Sequence, residues 1–596
     1  MFPLALCLAL AAPQGPAGDE SAPQGLTVVV AQVGQGDGLL LKTPDGAVHV
    51  VDGGPPGQGT ATLIPLITAL QPSRYGATFM SHWHIDHQGG LDEVLAKFPF
   101  RDAYDRGDTN RPNYPETQDY LNAAGSRRRA LIAGQVVQLG GGVSATVVAV
   151  NGQIKGGDSV PVVGTAQEEN SRSLTLRIDY GQFSLWLGGD LTGGGGNTAD
   201  VETKATLACG NVDVYHVNHH GSTTSTSVNL LANLAPELAL VSCGSNNPYG
   251  HPATQTTNRI NQAAAARLLL STTAGTGTVG FGVGGHITLT SDGRRYRATA
   301  QNGRFLDFLV DELTATTPAT HLRISEVHRQ PLAVSEGRGE YVEVTNTGAG
   351  PASLRNVQVQ TSGGVFTIVT NLLAYPGRPV TLMAHGDPQT NGGLPLGIVW
   401  PYQALSLGNT SDTLRLVQNA QTLDQVAYAA GFPGGAGVAA ERRDLLAPPS
   451  AATFAAATSL LPGGDKGSPG ARNPGETTPY AARIQVEASP TQLVLRATDL
   501  AHGGRLSVVA LAFGSTPGFP LWNAQVPLNV DALFTFSLGL PDFILTLPAE
   551  GYRALTLDLP QPNPLKGYPA FAAHLVLDLV APGVIGLSGA APFTFL

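Results

Sequence analysis

Residues 81–87 read Ser81-His82-Trp83-His84-Ile85-Asp86-His87 and follow a short apolar run that is typical of a β-strand. Imidazole and carboxylate groups are the ligands that zinc and neighbouring transition metals take in proteins. Side chains two positions apart in an extended segment point the same way, so His82 and His84 can bind one ion together. Asp86 and His87 follow where the chain turns, and can face a second ion. The stretch therefore predicts a metal site, with a ligand-free surface histidine cluster as the alternative.

The bulk composition indicates a β-rich chain of several domains. A length of 596 residues exceeds one hydrophobic core, and about three to five domains are expected. Glycine (74 residues) and proline (43) are abundant and only 13% of residues are charged, while the hydrophobic content of 42% is sufficient for ordinary cores. The net charge of −10 gives no overall attraction to nucleic acid or to an anionic membrane. A polyanionic substrate would have to be bound locally, mainly through metals.

The first 18 residues are interpreted as a signal peptide. Residues 3–12 form an apolar core that ends in small residues, although the segment lacks Lys or Arg; a disordered N-terminus is the alternative. No later stretch reaches the ~18 apolar residues of a membrane span. The expected location is therefore extracellular or in the cell envelope. Cys209 and Cys243 remain in the mature chain, and the sequence leaves open whether they pair or are buried thiols.

Three strings in the first hundred residues share a resemblance to one family. They are AQVGQGDGLLLKTPDG (31–46), VVDGG (50–54) and SHWHIDHQGGL (81–91). Together they resemble the metallo-β-lactamase superfamily, and within it the branch that contains the hydrolase domain of the ComEC competence proteins. The resemblance implies an αββα sandwich over residues 19–300, with metals at one edge and helices outside.

Later strings extend the resemblance and imply the ligand set. Glu169-Asn170-Ser171 precedes two strands, and GGD (188–190), NHHGS (218–222) and GHP (250–252) each follow a strand. By resemblance, Asp190 bridges two divalent ions, with zinc expected and manganese as the alternative. The implied metal ligands are His82, His84, Asp86, His87, Asp190 and His220. The residues implied to act on the substrate are Asp86, His219 and His251.

Two supporting residues and one ambiguity complete the predicted site. Asp52 is expected to orient a ligand histidine or its loop. The superfamily often supplies a further histidine ligand between the first motif and the bridging aspartate. No histidine occurs between His87 and His216 here, and Asn170 is expected near the place of that ligand. Spacing does not separate the roles of His219 and His220.

Two other segments of the first half are less distinctive. Residues 98–129 are expected to be irregular; they end in the triplet 127–129, three arginines that form either a solvated face or a substrate-phosphate contact. Residues 301–320 are interpreted as a linker, with 305–313 a candidate helix.

The distal half resembles a second family. LRISEVH (322–328), GEYVEVTNTG (339–348) and GSPGARN (467–473) occur in the order found in the lamin-tail domain. The resemblance implies an immunoglobulin-like β-sandwich over residues 321–474, a module for docking to a cell surface or polymer. A proline-rich hinge then leads to a small β-rich domain over residues 480–596.

The sequence thus predicts a multidomain, secreted, metal-dependent hydrolase. The favoured activity is that of a phosphodiesterase or nuclease acting on extracellular nucleic acid or another phosphodiester through a metal-activated water. One alternative is a hydrolase of a small ester, such as a phosphocholine esterase, a lactonase or a β-lactamase. The other is a non-enzymatic surface-binding protein.

Overall fold

The structure is a computed structural model, and it describes residues 23–263, 268–273, 275, 282–310, 319–388, 390–395, 397–400, 404–540, 542–548 and 551–596. The predicted signal peptide lies outside the described residues. No helix among the described residues has the length and apolar character needed to cross a bilayer.

Two nine-stranded sheets and eight α-helices make up the described part of the N-terminal half. The strands are β1 (Leu26–Val30), β2 (Gly38–Lys42), β3 (Ala47–Gly53), β4 (Arg74–Phe79), β5 (Asp102–Asp105), β6 (Arg128–Ala130), β7 (Val136–Gly140), β8 (Val143–Val150), β9 (Gln153–Ile154), β10 (Thr175–Tyr180), β11 (Phe183–Leu187), β12 (Val214–His216), β13 (Leu238–Val241), β14 (Leu268–Ser271), β15 (Gly282–Val283), β16 (Ile287–Ser291), β17 (Arg295–Ala300) and β18 (Phe305–Leu309). The helices are α1 (Ile64–Ala69), α2 (Ile85–Gln88), α3 (Leu91–Lys97), α4 (Pro115–Ala124), α5 (Glu168–Ser171), α6 (Val201–Cys209), α7 (Val228–Leu234) and α8 (Thr254–Ala263).

Each of the two sheets contains one block of parallel strands. The first sheet runs β18-β17-β16-β1-β2-β3-β4-β5-β6, and the second runs β15-β14-β13-β12-β11-β10-β8-β7, with β9 paired to β8. Strands β3 to β6 are parallel, as are β11 to β15.

Alternating side chains build the αββα layers. In β1, Val28 and Val30 belong to the core between the sheets, whereas Val29 belongs to the cluster that includes Leu63, Ile67 and Leu91 of the outer helical layer. In the second sheet, Tyr215 packs on the opposite face, in the cluster that contains residues of α6 and α7. Successive strand residues point to opposite faces, so each sheet buries one face against the other sheet and one against helices.

Local expectations held where the sequence pattern was strong. The two strands expected after Glu169-Asn170-Ser171 are β10 and β11. The expectation of an irregular segment at 98–129 was wrong, because it contains β5, α4 and β6. Strands β5 and β6 have only four and three residues and extend the parallel edge of the first sheet. Strands this short do not show the two-residue alternation by which a strand is recognised in a sequence.

The expectation of a helix at 305–313 was also wrong. Residues 305–309 form β18, which pairs with β17 and continues the first sheet beyond residue 300. Leu306 and Phe308 are buried, and the Phe308 ring stacks on Tyr296 with 4.8 Å between centroids. This alternation is the period of a strand. Residues 311–318 lie outside the described residues.

The distal half contains two further β-rich units. The first has β19 (Leu322–His328), β20 (Tyr341–Asn346), β21 (Ala352–Ser353), β22 (Gln358–Thr361), β23 (Gly364–Thr367), β24 (Leu373–Ala374), β25 (Pro379–Met383), β26 (Ile398–Val399), β27 (Asp412–Gln418), β28 (Gln421–Tyr428), β29 (Ala440–Arg442), β30 (Phe454–Ala456) and helix α9 (Glu336–Gly339). The second has β31 (Arg483–Ala488), β32 (Gln492–Thr498), β33 (Leu506–Ala512), β34 (Phe519–Leu521), β35 (Ala524–Val526), β36 (Ile544–Thr546), β37 (Tyr552–Asp558), β38 (Pro569–Asp578), β39 (Gly583–Leu587), β40 (Ala591–Thr594) and helix α10 (Ala532–Ser537).

The first distal unit is a sandwich of a six-stranded sheet, β26-β25-β20-β19-β29-β30, and a four-stranded sheet, β23-β22-β27-β28. It joins the N-terminal half through β18, since Leu309 donates its N–H to Asn371 O at 3.2 Å and Asn371 donates its own to Glu237 Oε1 at 2.6 Å. The second unit has sheets β31-β32-β37 and β36-β33-β38-β39, with β40 on β38.

Candidate metal centre

The predicted site residues converge on one edge of the sandwich. Asp52 lies at the end of β3, His82 follows β4, Asp190 follows β11, and His219 and His220 follow β12. The carboxyl ends of these strands face one crevice, the usual position of a site on parallel sheets. The sequence places a polar loop after each strand, and the topology brings those loops together.

Asp190 divides the centre into two halves, one at each carboxylate oxygen. The first half surrounds Oδ2, which lies 3.7 Å from His82 Nε2 and 3.6 Å from His219 Nε2. His84 Nδ1 lies 3.0 Å from His82 Nε2, at the same corner. His84 is half-buried, so solvent reaches this half beside its ring.

The second half surrounds Asp190 Oδ1. This oxygen lies 3.2 Å from His87 Nε2 and 3.5 Å from His220 Nε2. Asp86 completes the group, with Oδ2 3.4 Å from His220 Nε2. His82 and His87 are fully buried and the Asp190 carboxylate nearly so, whereas Asp86 is partly exposed.

The donor set fits two divalent cations. His87 Nε2, His220 Nε2 and Asp190 Oδ1 are buried and have no hydrogen-bond partner among the described residues. Ligand atoms of His82, His87 and Asp190 lie within 4.8 Å of one another, as do those of Asp86, His87 and His220. Buried polar atoms without partners are costly, and imidazole nitrogens and carboxylate oxygens that face one another are relieved by a shared cation.

Asp52 orients His87 through Nδ1, the ring nitrogen other than the one that faces Asp190. It accepts hydrogen bonds from Ser81 N and Ser81 Oγ, both at 2.7 Å, and its Oδ2 lies 2.8 Å from His87 Nδ1. A proton on Nδ1 leaves the lone pair of Nε2 directed at Asp190, which is the tautomer a metal ligand requires. Asp52 has a φ of 58°, a left-handed backbone uncommon for a residue other than glycine and often found at functional sites.

Asp37 is a member of the centre that sequence reasoning missed. Its carboxylate is 2% exposed and approaches three imidazoles: Oδ1 lies 3.4 Å from His220 Nδ1, and Oδ2 lies 3.8 Å from His216 Nδ1 and 3.9 Å from His87 Nδ1. Burial alone would raise the pKa of Asp37, but His216 and His220 lower it below its ordinary value. The available signal was the position of Asp37 in the glycine-rich turn Gly34–Gly38. This turn belongs to the string at 31–46 that resembles the family.

His219 and His220 both face the centre, each on its own side of Asp190. His220 Nδ1 donates to Ser242 O at 3.0 Å, which directs Nε2 inward. The Asn170 amide nitrogen lies 3.1 Å from His219 Nε2. Asn170 therefore stands beside His219, and His219 occupies the first half of the centre, where the usual superfamily histidine is missing from the sequence.

His251 lies at the rim. Its ring centroid is 5.4 Å from that of His219 and 6.1 Å from that of His220. Burial, His220 and His219 lower the pKa of His251 to about 4, so the ring is neutral near pH 7. Gln35 Oε1 accepts from Gly244 N, so its amide donates to His251 Nδ1 at 3.5 Å and leaves an N–H at Nε2.

The structure also gives the contacts of two of the three arginines and the state of both cysteines. Arg127 donates to backbone carbonyls of α4, and Arg128 pairs with Asp105 and Asp108 at 2.6 and 2.8 Å, so these two guanidinium groups hold the fold. Cys209 and Cys243 are both buried free thiols.

Comparison with known proteins agrees with this geometry. Residues 31–245 match the family model described as the metallo-beta-lactamase superfamily. This part of the chain is a metallo-beta-lactamase superfamily domain. All the residues of the centre except His251 fall inside the matched segment.

Two curated relatives and one solved structure are similar to part of the chain. ComE operon protein 3 of Bacillus subtilis is 26% identical over 242 residues, which cover 38% of this chain and 29% of the relative. Competence protein ComA of Neisseria gonorrhoeae is 28% identical over 260 residues, covering 43% and 33%. The chain thus spans a third or less of these relatives. The mono-zinc metallo-beta-lactamase FIM-1 from Pseudomonas aeruginosa aligns with a TM-score of 0.20 and 17% identity over 29% of this chain and 70% of that one.

Proposed function

We propose that the N-terminal domain is a phosphodiesterase with two divalent metal ions, and that its substrate is nucleic acid outside the cell. The observation that supports this most strongly is the position of Asp190 between two groups of inward-facing histidines. A bridging carboxylate with ligands on both sides suits the in-line displacement at a phosphodiester. The competence proteins among the relatives favour nucleic acid over a small ester.

The residues of the chain would divide the work between binding the ions and handling the substrate. His82, His84 and His219 would hold one ion and Asp86, His87 and His220 the other, with Asp190 shared. Such ions, when bound, make a water acidic enough to attack near neutral pH and offset charge on the phosphoryl oxygens. Zinc fits the histidine-rich first half, and manganese is the alternative because the second half contains more carboxylate.

His251 is the group placed to contact the substrate. Its Nε2–H is the ring N–H that Gln35 leaves free, on a side chain beside His219, and it can donate a hydrogen bond to a phosphodiester oxygen. His84 and Asp86 are the partly exposed members of the centre and mark the side from which the substrate enters.

A small ester is the second candidate because two arginines whose partners directly precede Asn170 in the chain are already paired. Arg106 binds Glu169, and Arg172 binds Glu168 at 2.6 Å. Phosphate backbones are usually bound by unpaired cations, so a nucleic acid would depend here on the metals themselves.

The rest of the chain extends the proposal. We propose export by residues 1–18 and docking of the β-sandwich at 321–474, a lamin-tail-like module, to a cell surface or polymer. The sandwich supports this by its two sheets, which are antiparallel except for the β25–β26 pair, and by the order of its motifs.

The test compares single-stranded DNA with bis-p-nitrophenyl phosphate, using the purified chain loaded with zinc or manganese and a His84→Ala variant as control. Cleavage of both substrates by the wild type, and of neither by the variant, is expected. Cleavage of the small diester alone would favour a small ester as the substrate. No turnover with either ion would contradict a hydrolase and leave the surface-binding alternative.

A further inference from the structure

The loop that carries His219 and His220 has an unfavourable backbone. Residues Asn218–Gly221 form a short turn in which His219 and His220 have φ values of 53° and 52°. A left-handed conformation costs about 1–2 kcal/mol per residue for side chains other than glycine. Two consecutive residues keep it only if the surroundings hold the loop on both sides.

Glu202, in the first turn of α6, makes the hydrogen bonds that keep this loop in place. Its side chain is fully buried, and Oε1 accepts from Asn218 Nδ2 at 2.9 Å and from Thr226 N at 2.7 Å. Oε2 accepts from Ser227 N at 2.8 Å. One carboxylate therefore joins the residue just before His219 to the segment that follows the histidine pair.

The Glu202 carboxylate is buried without an ion pair to any residue that the structure describes. Among the described residues, no Lys or Arg nitrogen lies within 4 Å of Glu202, and burial raises its pKa although three N–H donors oppose the shift. A buried carboxyl group without a cation is costly unless its hydrogen bonds are complete. The energetic cost of burying the Glu202 carboxylate is consistent with a role in fixing the loop at 218–227.

Asn218 transmits the constraint to the histidines. Its Oδ1 accepts from Trp186 Nε1 at 3.0 Å, and its backbone N–H donates to Tyr215 Oη at 3.0 Å. A Cβ at Gly188 would lie 2.0 Å from Asn218 Oδ1, and one at Gly193 would lie 2.3 Å from Glu202 Oε2. Only glycine leaves room for this network, so the side chains of Asn218 and Glu202 have one packed arrangement.

We propose that Glu202 is a positioning residue that sets both imidazoles of the histidine pair against the two oxygens of Asp190. It acts through Asn218 and through the backbone at 226–227, and it does not contact the ions or the substrate. The inference rests on the proposed metal centre and is independent of the identity of the substrate.

Glu202→Gln tests the inference with almost no change in shape. An amide NH₂ must replace one oxygen and then faces at least one N–H donor, Ser227 N in the better orientation. Because the loss of a group that supports metal ligands typically costs 10–100-fold in metal affinity, we expect the dissociation constants for zinc to rise by that factor. The measurement is competition with a chromophoric chelator, with bound metal counted after dialysis.

Two controls separate positioning from general stability. Glu487→Gln, at an exposed glutamate of β31, should bind zinc as the wild type does. Asn218→Ser breaks the transmission and leaves Glu202 in place, so it should reproduce the loss, and it replaces Glu202→Gln if that variant does not fold. The thermal midpoint of each metal-free protein shows how much stability has changed.

The outcomes distinguish this inference from the proposed function. A wild type that binds two ions and a folded Glu202→Gln that binds them tenfold or more weakly would support it. Wild-type affinity in the folded variant, with only a lower midpoint, would overturn it and leave a purely structural role. A wild type that binds no metal would contradict the metal centre itself.

Discussion

Replacing Asp52 with asparagine changes one atom and should reverse the tautomer of His87. The carboxylate accepts from Ser81 N and Ser81 Oγ, and holds the proton on His87 Nδ1 at 2.8 Å. An asparagine that keeps the bond from Ser81 N directs its NH₂ at His87. His87 Nδ1 must then accept, so the proton moves to Nε2, the atom that faces Asp190.

The magnitude follows from the two orientations of the amide. In the first, the lone pair of His87 Nε2 is lost, and a 10–100-fold loss of metal affinity corresponds to about 1.4–2.8 kcal/mol. In the second, the NH₂ faces Ser81 N, and an unsatisfied buried donor costs about 1–3 kcal/mol of stability. Asp52→Asn should therefore weaken metal binding, destabilise the fold, or do both in part.

The assay measures the zinc dissociation constants, the turnover of bis-p-nitrophenyl phosphate and the thermal midpoint on the same samples. Asp158→Asn is the matched control, because that carboxylate is exposed and pairs only with surface groups such as Lys204. A variant with wild-type affinity, turnover and midpoint would refute the role of Asp52 as the orienting group of His87.

Four further predictions concern other parts of the molecule. Asp37→Asn should weaken zinc binding less than Asp52→Asn does, because His220 Nδ1 keeps its bond to Ser242 O, and chelator competition measures the difference. Burial raises the pKa of Glu326 to about 7, above its unfolded value, so its protonated form stabilises the fold at low pH. The stability of the sandwich should therefore fall as the pH rises from about 4.5 through 7, by up to about 3 kcal/mol, and melting curves of Glu326→Gln should lose that part of the slope; an unchanged slope would contradict it. Phe308→Ala should cost about 3–5 kcal/mol in denaturant unfolding because the ring is fully buried against Tyr296, whereas an effect below 1 kcal/mol would argue against the pairing of β18. A protein that begins at residue 19 should titrate two free thiols after unfolding without reductant, and none if Cys209 and Cys243 were paired.

The sequence predicts those members of the centre that lie close together along the chain. Residues 81–87 place three imidazoles and a carboxylate on one strand end, and that spacing alone indicates a metal site. The strands β2, β10 and β11 are likewise visible from local patterns of apolar residues, and the layers follow from their alternation.

What the sequence does not show depends on contacts between distant segments. Asp37 meets His220 across 183 positions of the chain, and a glycine-rich turn gives no sign of that neighbour. Glu202 reads as an ordinary helix residue until Asn218 is placed beside it. The division of His219 and His220 between two oxygens of Asp190 arises from the left-handed turn, which no residue-type pattern predicts for two histidines.

The strand β18 was missed for a related reason. Four of its five residues are apolar, and helix and strand patterns overlap over so short a run. Pairing with β17 and the stack of Phe308 on Tyr296 decide for the strand.

The most direct test of the metal centre is a count of zinc and manganese bound per chain by elemental mass spectrometry, in the wild type and in Asp190→Ala. Two ions per wild-type chain after dialysis, and at most one in the variant, are predicted because Asp190 is shared by both halves. A wild type that retains no ion, or a variant that retains as many ions as the wild type, would contradict a two-metal centre bridged by this aspartate.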